Sequence, residues 1–239
     1  HLSIRRQRQM CIRDRRRRLR DNGLSIAFLT IFLLALAGQS LVGLAYTNEQ
    51  LEQHEQPAVG YLDFITSSDF LVDVAENWQS EFLQFFLFIL ATIWLVQRGS
   101  PESKKPGDEG IGGEADQLIG RHARSDSPAW ARLRGVRLWI YSNSLLMVMG
   151  SIFLLSWFAQ SLAGRIVASE ENARHGYPPV SWLEYVVSPE FWNRTLQNWQ
   201  SEFLAVGAMV VFSIYLRQRG SSESKPVGAP HSESSIESE

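Results

Sequence analysis

NWQSEFL occupies Asn77–Leu83 and recurs unchanged at Asn198–Leu204. Each copy runs into an apolar stretch that ends in QRGS, at Gln97–Ser100 and Gln218–Ser221. The offset is 121 residues in both places and holds without a gap from Asn22/Asn143 to Lys104/Lys225. Over that window 33 of 83 aligned positions are identical, far above chance for a fixed period. The chain reads as a duplicated unit, and each half tests readings of the other.

Mean hydropathy of −0.12 and net charge −2 suggest a soluble protein, but charge and apolarity are segregated into blocks. Four apolar blocks approach the roughly 20 residues that span a bilayer. They lie at about 24–46, 78–96, 145–167 and 199–216. The predicted fold class is all-α: an integral membrane four-helix bundle built from two parallel-repeat helical hairpins, since a unit with two spans re-enters the membrane in the same orientation.

Loop charge sets the expected topology. Arg15–Arg18 and Arg20 precede the first block, whereas Thr47–Asn77 has no Lys or Arg and seven acids. The next connection carries Arg98, Lys104, Lys105, Arg121, Arg124, Arg132, Arg134 and Arg137. By the positive-inside rule both termini and the central linker face the cytoplasm. Repeat 1 covers 15–98 and repeat 2 covers 142–219. Between them, composition predicts a disordered linker over 99–127 and a basic interfacial helix over 128–141, started by Ser127-Pro128. The Ser/Glu-rich tail, 220–239, is expected to be floppy. Residues 9–14, QMCIRD, match the in-frame translation of a sequencing adapter, so residues 1–14 are expected to be foreign to the fold. They hold the sole cysteine, Cys11.

The repeated motif places polar groups at a membrane entrance. With Arg98 and Arg217 as inner anchors, Trp78 and Trp199 reach the outer interface, and Glu81 and Glu202 lie about one turn inside it. A carboxylate at that depth is costly unless paired, protonated or facing water. The candidate polar cluster is Asn77, Gln79 and Glu81 with Asn198, Gln200 and Glu202. It could be a wet vestibule with two coupled carboxylates, or hydrogen bonds that hold helices together; the structural reading is preferred. Gln39-Ser40 and Gln160-Ser161, each followed by a glycine (Gly43, Gly164), read as helix-packing positions. His54 and His175 also match, but Glu52 and Glu55 face Ala173 and Gly176 in the other half, so surface histidines are favoured over a metal site. No cofactor or metal is called for.

No phosphate loop, HExxH, CxxC or nucleophile elbow occurs. The arginine runs flank apolar blocks, so the expected partners are the bilayer and anionic lipid headgroups, not nucleic acid.

The doubled NWQSEFL, the QRGSPESK and RQRGSSESKPVGAPH segments and FWNRTLQNWQSEFL give the chain a resemblance from about Arg16 onward. It resembles small bacterial membrane proteins grouped only as a domain of unknown function. That resemblance implies a bacterial inner-membrane location and no activity. The expected role is non-enzymatic, structural, scaffolding or stress-related. The alternative is a small transporter or ion conduit using Glu81 and Glu202, as a homo-oligomer because four helices enclose little space.

Overall fold

The computed structural model describes residues 17–234. The segment 1–14 lies outside them. Among the described residues the secondary structure is helical throughout, with no strand. Two compact units divide between Phe70 and Leu71.

The first unit holds α1 (Gly23–Gln53) and α2 (Tyr61–Ile65) and ends in the first turn of α3 (Ser68–Trp94). The second continues through α3 to α4 (Val136–Ser142), α5 (Ser144–Arg174), α6 (Trp182–Val186) and α7 (Pro189–Tyr215). The bounds of α5, α6 and α7 are those of α1, α2 and α3 displaced by 121 residues.

Local chemistry explains why the boundaries agree. Ser188 Oγ accepts the Phe191 amide at 3.2 Å, with Pro189 opening α7; Ser67 Oγ does the same for Phe70 at 3.2 Å. At the other end of the loop, α1 closes in a Schellman turn, Gln56 N donating to Leu51 O (2.8 Å) and Glu55 N to Glu52 O (3.0 Å). α5 closes the same way through Tyr177 and Gly176. The residue after the cap is left-handed in both, Glu55 at φ 55° and Gly176 at φ 75°. His54 and His175 stand just before it, and each ring Nδ1 donates to a carbonyl of its own helix, Gln50 O (2.8 Å) and Glu171 O (2.9 Å). The matched histidines finish helices.

α1 and α5 are long and apolar enough to cross a membrane, judged by length and composition. α3 and α7 do not meet that test, because the polar residues of NWQSE fall inside their apolar stretches. The expectation of four membrane helices is thus met by two.

The connecting segments differ from their composition. The helix expected over 128–141 is broken into a 3-10 turn, Ala129–Arg132, and α4, because Gly135 between them takes φ 62°. Ser127 caps nothing ahead of it; its Oγ accepts the Arg124 amide at 2.8 Å. The linker 99–127 and the tail from 220 to 234, expected to be disordered, form hydrogen-bonded turns. Repeated residues cause this: Ser103 Oγ caps Gln97 N (2.7 Å) and Ser224 Oγ caps Gln218 N (2.8 Å).

Candidate functional site

In each half a short helix is folded back against the long one by the same three contacts. The first pins the loop: Asn48 Oδ1 accepts from Val59 N (2.8 Å), and Ser169 Oγ accepts from Val180 N (3.1 Å). The second joins the helices, Ser40 Oγ to Tyr61 Oη (2.9 Å) and Trp182 Nε1 donating to Ser161 Oγ (3.0 Å). The third is a ring laid over a glycine, Phe64 on Gly43 and Tyr185 on Gly164, where an added Cβ would collide with the ring. So Ser40, Ser161 and the two glycines build these two loops, with Tyr61, Phe64, Trp182 and Tyr185 as their anchors.

The NWQSEFL helices meet through side chains in a polar ladder between α3 and α7. Arg194 donates to Glu76 Oε2 at 2.7 Å and to Asp73 Oδ1 at 3.3 Å. Asn198 Nδ2 donates to Glu76 Oε1 at 2.8 Å. One turn further in, Trp199 Nε1 donates to Gln79 Oε1 at 2.8 Å. Burial opposes the Arg194 charge, but the hydrogen bond to Glu76 and the charges of Glu76 and Asp73 outweigh it and hold the guanidinium above its ordinary pKa.

The six candidate residues therefore separate. Gln79 is fully buried in the ladder and Asn198 joins it. Asn77 is exposed and turns back to Asp73 O (2.8 Å), while Gln200 is exposed. Glu81 is exposed and Glu202 half-buried, near enough for their charges to interact. The four amides and two carboxylates do not form one cluster. Gln39 is exposed, whereas its counterpart Gln160 is fully buried with neither amide atom hydrogen-bonded.

Sequence reasoning missed Glu76 and Arg194, because neither recurs: Gln197 and Asp73 stand in their places. The signal was present as opposite charges at one repeat position. It also missed the aromatic cluster of the second half. Trp157 packs against Phe191 (ring centroids 6.1 Å), Trp192 (5.9 Å) and Trp199 (5.9 Å), over a cleft of about 380 Å³. Leu36 and Leu71 replace Trp157 and Trp192 in the first half. Tyr185 is 1% exposed, its hydroxyl without a hydrogen-bond partner, and burial foremost, then Glu190, pushes its pKa up to about 12.

What these features define, among the described residues, is an all-helical protein with two long apolar helices and polar pairing between two further helices. The chain belongs to a family described as Domain of unknown function (DUF6766), whose profile matches residues 15–236. No curated protein and no solved structure matches it.

Proposed function

We propose that this chain is a four-pass integral protein of a bacterial cytoplasmic membrane, with both termini and the 99–142 connection inside, acting as a non-enzymatic scaffold. One observation carries the reading. Only 6% of the most apolar window of α1 and 22% of that of α5 is buried within the protein. Leu33, Leu34, Leu154 and Leu155 are more than half exposed. Lipid is the medium that covers such a surface without cost. α3 and α7 complete the hairpins in this reading, because the charge asymmetry of the loops needs an even number of crossings per half. Their outer turns protrude as the polar ladder.

The ladder favours scaffold over conduit. Gln79, Asn198 and Trp199 are spent in helix-to-helix hydrogen bonds, and 85–96 and 206–216 offer almost no polar side chain to continue a path. The inner arginines suit anionic headgroups. With Cys11 replaced by serine, a cysteine at Glu55 should react with an impermeant maleimide in intact cells and one at Gly112 should not. The reverse pattern refutes the topology. A cation flux in proteoliposomes that disappears with Glu81→Gln and Glu202→Gln together would replace scaffold by conduit.

A further inference from the structure

At the opposite end from the ladder, the 99–142 connection folds against the helix ends and encloses a cavity of about 850 Å³. One wall is apolar: Ile89 and Ile93 of α3, Leu145 and Leu146 of α5, and Trp139 of α4. The connection is tied to that wall. Gly110 N donates to Ile93 O at 2.7 Å, and Lys104 Nζ donates back to Gly110 O. The other side is polar, with Lys104 and Asn143 on the lining and Glu114 as its acid.

The segment that supplies part of this lining is basic. Ala131, Gly135 and Leu138 line the cavity, and Arg132, Arg134 and Arg137 are their chain neighbours. Arg121 and Arg124 precede them. All five are exposed, and none is in the ion pairs found among the described residues. Arg132 turns instead to the carbonyls of Arg124 (2.6 Å) and Ser125 (3.2 Å). Trp130, Val136 and Ile140, all exposed, add apolar surface to the same segment.

We propose that this cavity holds one anionic phospholipid of the inner leaflet, its acyl chains along the α3 and α5 wall and its phosphate beside Arg134 and Arg137. The proposal rests on the membrane reading. It goes further because a polybasic surface attracts lipid generally and weakens with salt, whereas a walled cavity of this size retains a single molecule. A soluble anion would satisfy the arginines and leave Ile89, Ile93 and Leu146 facing water, so an amphiphile fits both sides.

The test is native mass spectrometry of the full chain purified in mild detergent, with phosphatidylglycerol and phosphatidylcholine titrated back. The parent should retain one phosphatidylglycerol and prefer it to phosphatidylcholine. Arg134→Glu with Arg137→Glu, both exposed positions, should weaken that binding about tenfold or more, at roughly 1 kcal/mol per cation. Ile93→Trp, which fills the cavity, should abolish retention, with circular dichroism confirming the helices. A chain that resists alkaline carbonate extraction yet holds both lipids equally, or binds phosphatidylglycerol unchanged in the arginine pair, overturns the site and leaves the membrane reading standing. A chain that carbonate releases overturns both.

Discussion

Arg194 pairs with Asp73 at 3.3 Å, and Asp73 is the residue that occupies its own position in the other half of the chain. Equivalent residues of a duplicated unit meet here because the equivalent helices α3 and α7 face each other at this position. Identical charges there would repel, so the position carries opposite ones. Glu76 completes the group at 2.7 Å, and its side chain is only 16% exposed. The pairing of the two NWQSEFL helices therefore rests on a place where the halves differ.

Removing Arg194 should be costly because it takes the counter-ion from Glu76 and leaves Asn198 as its cross-helix donor. Arg194→Ala is expected to destabilise by about 1–3 kcal/mol, the penalty of an unpaired and largely buried carboxylate. The exchange variant, Asp73→Arg with Arg194→Asp, should recover most of that loss. Thermal unfolding in detergent checks both. An exchange variant no better than Arg194→Ala would mean that Glu76, not the equivalent pair, sets the energy.

Tyr185 has its replacement written in the other half, where Phe64 stands. Its hydroxyl is buried without a partner, so Tyr185→Phe should be neutral or slightly stabilising at pH 7. The advantage of phenylalanine grows in alkali. A tyrosine raised to about 12 contributes stability that is complete below pH 10 and is lost as pH climbs toward 12, because the unfolded phenol ionises first. At about 1.4 kcal/mol per pH unit, the parent should lose roughly 2–3 kcal/mol over that interval relative to Tyr185→Phe. Parallel denaturant titrations at pH 8 and pH 11.5 measure the difference.

Glu55 is the corresponding case on the backbone. It holds φ 55° where the second half has Gly176 at φ 75°. A side chain in the left-handed region costs about 1 kcal/mol that glycine avoids. Glu55→Gly should therefore stabilise the parent by about that amount, and Gly176→Ala should destabilise it similarly. Equal and opposite shifts in midpoint would be the expected result; no shift in either would show that these turns open before the protein unfolds.

Much of the architecture was legible because helix signals are local. The apolar blocks announced α1 and α5, and the 121-residue offset carried each boundary from one half to the other. Composition failed where long-range hydrogen bonds override it. The 99–127 and 220–234 segments look disordered by residue type, yet Ser103 and Ser224 each cap the turn they belong to, and Ser234 of the tail accepts from Gly99 N. The polar cluster was half legible for a different reason. Recurrence picked out Gln79, Asn198 and Trp199, but a helix pair facing its own copy joins unlike residues at one position, so Asp73, Glu76 and Arg194 were invisible to a search for identity.

Lys225 gives the last prediction, and it concerns the segment that composition misjudged. Its ammonium is buried and donates to four backbone carbonyls, Gly99 O (2.6 Å), Pro230 O (3.1 Å), His231 O (3.1 Å) and Glu233 O (3.1 Å). Gly99 N in turn donates to Ser234 Oγ at 2.8 Å. One cation thus fastens the tail to the turn that follows α3. Its counterpart Lys104 holds only Gly110 of its own loop. Lys225→Met keeps the stem and strips the donors, leaving carbonyls that can be satisfied only by water, which requires the tail to open. Amides of 226–234 should then exchange faster, by the roughly five- to 150-fold that about 1–3 kcal/mol of lost local stability implies, while those of α7 stay protected. Lys104→Met should leave the tail untouched. Unchanged tail exchange in Lys225→Met would mean that Gly99 and Ser234 suffice, and the double variant Lys225→Met with Ser234→Ala would then have to release it.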